Sequence, residues 1–118
     1  MRYMLLIYGD ESRWESWTEA ETQADMERWY AYGAELDAAN AQLAGEALQP
    51  TATATSVRDE EGKPLVTDGP FAETKEQLAG FYMIEADDLD AAIAWAHKCP
   101  AATYGTIEVR PIMEFPTG

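Results

Sequence analysis

Leu78-Ala79-Gly80-Phe81-Tyr82-Met83-Ile84-Glu85 decides the fold. This short apolar run, with two aromatics, a methionine and an isoleucine in succession, reads as a central β-strand. The residues that follow change period. Asp87-Asp88-Leu89-Asp90 opens a helix, with acids at the positive end of its dipole. Leu89, Ile93 and Ala96 fall on one face of that helix, and Pro100 stops it.

Working back from this strand, Thr51 to Arg58 alternates with period two and reads as a strand with one small-residue face. Asp59 to Lys63 is a turn, and Pro64 to Thr67 makes a short hairpin partner. Leu43 to Gln49 is a weaker strand candidate that ends at Pro50. Thr18-Glu19-Ala20-Glu21 fits a capping box, and Met26, Trp29, Tyr30, Gly33 and Leu36 follow at helical spacing. A long amphipathic helix is therefore expected over 19–39. Before it lie a strand, Arg2 to Tyr8, and a polar loop, Gly9 to Trp17, with two tryptophans. Thr106 to Phe115 is the last strand, with Pro111 hinting at an edge or a bulge.

The order β-α-β-β-(short β)-β-α-β predicts an α+β, ferredoxin-like fold, an antiparallel sheet with two helices on one face. The other face of such a sheet needs a cover. Leu5 and Ile7 make the first strand apolar at alternate positions, whereas Thr51, Thr53 and Thr55 make one side of another strand polar. A half-apolar, half-polar face is what a homodimer interface enclosing a cleft would present.

The 118 residues are read as one domain, 1–118, and 47% hydrophobic with 25% charged residues is ordinary globular composition. Acids outnumber bases 22 to 8, a formal charge of −14 that repels nucleic acid and anionic membranes. Neither is expected as a partner. A single cysteine, Cys99, leaves no intrachain disulfide and fits a reducing, cytoplasmic compartment. The opening apolar run is too short for a signal peptide or a membrane span. With one His and one Cys, no metal site is expected. The chain has no Gly-rich phosphate loop and no Gly-x-Ser-x-Gly elbow, and no cofactor is expected.

Four segments carry a family resemblance: the start Tyr3 to Glu11, the Thr51-Ala-Thr-Ala-Thr55 run, Asp68-Gly-Pro-Phe-Ala-Glu-Thr-Lys-Glu-Gln-Leu78, and Gly105 to Ile112. Together they resemble the YCII-related proteins of the DGPF subgroup, in the right order over nearly the whole chain. The resemblance implies a dimeric α+β barrel, in which homodimers form through the sheets and a small-molecule site lies between protomers. It also implies a setting beside genes of extracytoplasmic-function sigma factors. Some members of the wider family resemble enzymes that eliminate HCl from a muconolactone-type ring, with a His-Asp pair as the proposed catalytic unit. The family's aspartate maps onto Asp68. Its histidine has no match, because the only histidine here, His97, ends the second helix.

Asp68 is thus the candidate catalytic residue, on two readings. A partly desolvated cleft would raise its pKa and suit it to act as a general base, whereas a turn carboxylate accepting backbone N–H groups would have a lowered one. Tyr8 and Asp10, at the end of the first strand, are candidate cleft-rim residues. Phe71 lines the cleft or pins its loop. Lys75 contacts a polar ligand or pairs with neighbouring carboxylates, and Arg110 binds a substrate carboxylate or makes a structural ion pair. His97 suits the negative end of a helix dipole, and Cys99 is read as structural. Trp14 and Trp17 form an aromatic lid or a staple for the first helix. Two functions follow: a small-molecule-binding module, or a lyase or isomerase using Asp68.

Overall fold

A computed structural model describes residues 1–116. Strands β1 (Arg2–Gly9), β2 (Gln42–Ala47), β5 (Gln77–Glu85) and β6 (Thr106–Pro111) form one sheet in the order β2-β5-β1-β6. Every pair in it is antiparallel. Helices α2 (Glu19–Ala38) and α3 (Leu89–Lys98) provide the two crossovers. This is the expected ferredoxin-like α+β fold. Strands β3 (Thr55–Glu60) and β4 (Lys63–Asp68) form a separate two-stranded hairpin between β2 and β5.

Strand alternation sorts the sheet's side chains. Tyr3, Leu5 and Ile7 of β1 and Ile84 of β5 point to the helix side and are buried with Tyr32 and Leu36 of α2 and Ala92, Ala96 and Cys99 around α3. Leu5, Leu36 and Ile84 are fully buried, each contributing roughly 1.5–3 kcal/mol of burial free energy. The opposite face carries the rows Met83–Met4–Arg110 and Phe81–Leu6–Glu108, read across β5, β1 and β6. Among the described residues, no helix packs on that side.

The helix caps follow the sequence closely. Thr18 accepts from Glu21 N while the Glu21 side chain accepts from Thr18 N, the reciprocal box that starts α2. Asp88 accepts from Ala91 N and starts α3.

Several expectations need correction. The loop Gly9 to Trp17 contains a third helix, α1 (Glu11–Glu15), because Asp10 caps it by accepting from Ser12 N at 3.0 Å. Trp14 then lies across Gly9, where a Cβ would sit 2.8 Å from the indole. The Thr51 to Arg58 strand begins only at Thr55. Thr51–Thr53 is a 3-10 turn instead, in which the Glu11 carboxylate captures both Thr51 N and Thr51 Oγ1 at 2.8 Å. The polar Thr face therefore never joins the main sheet.

The hairpin turn is also tighter than the five residues expected. Only Glu61 and Gly62 turn, with φ of 53° and 84°, the positive pair that a two-residue type I′ connection requires. On α3 the buried residues are Ala92 and Ala96, whereas Leu89 and Ile93 are each 48% exposed. On α2 the inward stripe is Asp25, Trp29, Tyr32 and Leu36, one step round from the expected one, and Tyr30 is 68% exposed. The last strand stops at Pro111 rather than Phe115.

Candidate functional site

The spacing Asp25, Trp29, Tyr32, Leu36 places four side chains in line along α2. Tyr32 and Leu36 meet the sheet and are buried. Asp25 and Trp29 lie over a part of the sheet and its flank built from small residues: Gly45 and Ala47 of β2, Ala79 of β5, and Ala101 after α3. Small side chains there leave a pocket of about 580 Å³ between α1, α2 and the β2–β5 edge. The requirement for glycine at 45 is steric, since a Cβ would meet the Tyr82 ring at 2.7 Å.

Aromatic rings wall this pocket. Trp17 and Trp14 stand edge-on to Tyr104, with centroids 5.3 and 6.4 Å away. Trp29 stacks on Tyr82 at 6.3 Å with planes 14° apart. Asp25 sits among them with its side chain only 15% exposed. Trp29 Nε1 donates to Asp25 Oδ2 at 2.9 Å, and the Tyr104 hydroxyl donates to both carboxylate oxygens at 3.1 and 3.2 Å. Burial pushes the Tyr104 phenol up to about 12, with the Asp25 charge acting in the same direction. Tyr82 is raised too, chiefly by burial. The site thus combines an apolar, aromatic volume with one oriented carboxylate, the composition of a small-molecule pocket.

None of the six residues singled out from the sequence lines this pocket. Asp68 is exposed at the base of the hairpin, paired across it with Thr55, and the next residue, Gly69, holds a φ of 96°. Phe71 is 94% exposed. Asp10 and Lys75 are brought within electrostatic reach of each other. Hydrogen bonds from Ser12 hold the Asp10 carboxyl below its usual range, and Lys75 adds a smaller pull in the same direction. Tyr8 and Arg110 share the uncovered sheet face, in register with Thr106 and Met4 respectively. Four residues of strand separate them, roughly 13 Å. The six positions thus form two groups, one at the hairpin base and one on the open face.

Glu11, which the sequence reading passed over, joins the hairpin to α1: it holds Thr51, while its own N–H donates to Gln77 Oε1 at 2.9 Å. Cys99 is buried, and burial pushes its thiol up to about 11, consistent with a structural role. His97 lies in the last turn of α3, as the dipole argument placed it. Among the described residues, no helix is long and apolar enough to cross a membrane, and no three His, Cys, Asp or Glu side chains converge as metal ligands.

The model of the YCII-related domain matches residues 1–116. The chain belongs to the YCII-related family. It is 38% identical over 120 residues to an uncharacterized protein of Rhizobium meliloti (strain 1021), an alignment that spans 100% of this chain and 97% of the relative. Among solved structures it is similar to the 5-chloro-2-hydroxyhydroquinone dehydrochlorinase TftG from Burkholderia phenoliruptrix AC1100, in complex with 2,5-dihydroxybenzoquinone. The TM-score is 0.52 at 13% identity, over 98% of this chain and 96% of that one. At that identity the likeness establishes the shared fold.

Proposed function

We propose that this YCII-related protein binds a small, largely apolar molecule in the pocket under α1 and α2. The observation that carries the reading is the pocket of about 580 Å³, walled by Trp14, Trp17, Trp29, Tyr82 and Tyr104 around the Asp25 carboxylate. That volume falls within the roughly 300–1,000 Å³ usual for small-ligand sites. Three of the four tryptophans line it, so intrinsic fluorescence reports its occupancy. A panel of small aromatic molecules that includes 2,5-dihydroxybenzoquinone is titrated into the protein and into Ala47→Phe, whose ring fills the pocket. Saturable quenching in the wild type that is lost in Ala47→Phe is the expected result. Saturable binding that Ala47→Phe leaves unchanged contradicts the assignment.

The same reading takes the protein to be a homodimer joined through the uncovered sheet face. Supporting this, Met4, Leu6, Phe81 and Met83 form an apolar centre there, with Glu108 and Arg110 along one edge. Supporting it too, β3 and β4 pair only with each other and every residue of β4 is exposed. In the extracytoplasmic-function sigma factor setting that the family resemblance implies, the pocket would serve a ligand-sensing module of that pathway.

A second reading is favoured by the fold likeness to a dehydrochlorinase: a lyase or isomerase in which Asp68 acts as acid or base. Asp68 is exposed in the protomer, so in this reading its cleft is completed by the second subunit. Elimination of HCl from chlorinated hydroquinone-type substrates, lost in Asp68→Asn at unchanged thermal stability, is its expected signature. Equal activity in the variant rules it out.

A further inference from the structure

We propose that the ligand of the aromatic pocket is an organic cation, an amine or quaternary ammonium group carried on an apolar body. The proposal rests on the pocket being the ligand site and adds the charge of the occupant.

The charge of the lining comes first. Asp25 is the charged residue that faces into it, since Glu46 pairs with Phe81 and so takes the other face of the sheet, and no Lys, Arg or His is among the lining residues. Trp29 Nε1 and the Tyr104 hydroxyl, the donors that orient Asp25, are neutral groups. They fix the carboxylate without cancelling its charge. Arg28 Nη1 stands 3.9 Å from Asp25 Oδ1, at the limit of an ion pair, and its Nη2 is engaged with Pro100 O and Thr103 Oγ1 at 3.3 Å. No Lys, Arg or His lines the pocket opposite the Asp25 carboxylate, so an anionic ligand finds no partner there and a neutral one leaves that carboxylate facing apolar groups.

The rings point the same way. Indole and phenol faces carry negative quadrupole potential, and a cation within about 6 Å of a ring centroid is attracted to them. Trp14, Trp17, Trp29 and Tyr104 surround Asp25 from α1, α2 and the segment after α3, so one alkylammonium group can meet several rings and the carboxylate together. A formal charge of −14 also draws cations toward the molecule.

The test uses three probes of matched shape: phenyltrimethylammonium, its uncharged isostere tert-butylbenzene, and benzoate. Affinities are read from tryptophan quenching and calorimetry on the intact protein. The expected order is cation first, with the isostere about tenfold weaker and benzoate weakest. Asp25→Asn is expected to lower the cation's affinity about tenfold and to leave tert-butylbenzene unchanged. Equal binding of the isostere, tighter binding of benzoate, or unchanged cation affinity in Asp25→Asn overturns the proposal while the pocket assignment stands. If none of the three binds, both fall. Should Asp25→Asn lose its native near-UV spectrum, Trp17→Leu takes its place: it is expected to narrow the gap between cation and isostere, and an unchanged gap overturns the proposal.

Discussion

The aromatic pocket and the β3–β4 hairpin are neighbours along the chain and opposites in construction. The pocket draws on α1, α2, β2, β5 and the segment after α3, and its Asp25 carboxylate is held in place by Trp29 and Tyr104. The hairpin is local and isolated. Every residue of β4 is exposed, including Leu65 at 46% and Val66 at 59%, and a lone two-stranded ribbon is marginal in water. Its reach shows in the molecule's shape: the radius of gyration is 16.5 Å, against about 13.5 Å for a compact chain of this length. The contrast teaches that the stretch most recognisable in sequence, Asp68-Gly-Pro-Phe, belongs to the part least held by the rest of the chain. The pocket has no comparable signature in sequence and is the part most fully built.

The contrast can be broken in order of expected effect. Leu36→Ala, in the helix–sheet unit, should cost about 2–5 kcal/mol by leaving a cavity under α2. Urea denaturation checks this, and a cost below that of an exposed site would mean that the unit is not the stable one. Met83→Glu places a charge in the apolar centre of the open face; it should weaken self-association by about 2 kcal/mol, read as a protomer mass in sedimentation equilibrium. An unchanged dimer mass would move the interface elsewhere, and a monomeric wild type would remove it. Glu11→Ala frees Thr51 and should loosen the hairpin base by about 1 kcal/mol, seen as faster amide exchange at Thr51 with the main sheet unaffected.

Alkaline pH separates the two regions in another way. The folded Tyr104 and Cys99 have raised pKa values, about 12 and about 11 against ordinary values of 10.0 and 9.0. Between those values the unfolded chain has released protons that the folded chain still holds, so stability is complete below pH 9 and falls as pH climbs toward 12. Tyr32 and Tyr82 are also raised, chiefly by burial, and act with the same sign. Tyr104→Phe should flatten part of this loss. A stability profile level from pH 9 to 12 would contradict the burial of these groups. Val66→Ala in the hairpin of the isolated protomer should change stability by less than about 0.5 kcal/mol.

Much of the architecture was readable where the signal is local. The β5 run, the capping box at Thr18 and the Asp-rich start of α3 each declare themselves within a few residues. The ferredoxin-like order follows from them. The misreadings have local causes as well. Thr51, Thr53 and Thr55 alternate like a strand, but a carboxylate 40 residues away in sequence bends two of them into a turn. On α2, Met26 and Tyr30 look more apolar than Asp25, and a hydrophobic pattern alone chooses the wrong stripe. The polar residue belongs inside because Trp29 and Tyr104 satisfy it.

The candidate site was the least legible part, since Trp14, Trp17, Asp25, Trp29 and Tyr104 converge only through the fold. One signal was present. The tryptophans of α1 and α2 face small residues at 45, 47, 79 and 101, and large rings opposite missing side chains leave space.

The most direct test of the central claim, that the ligand enters the aromatic pocket and not the hairpin loop, is fluorine NMR of 5-fluorotryptophan-labelled protein titrated with phenyltrimethylammonium. The four tryptophans give one resonance each. Trp95 serves as the internal reference, packed between Tyr32 and the Lys98 ammonium and away from the pocket. The account requires the Trp14, Trp17 and Trp29 signals to shift together to saturation while Trp95 stays in place. Three static pocket signals at saturating probe, or a shift at Trp95 alone, would contradict it.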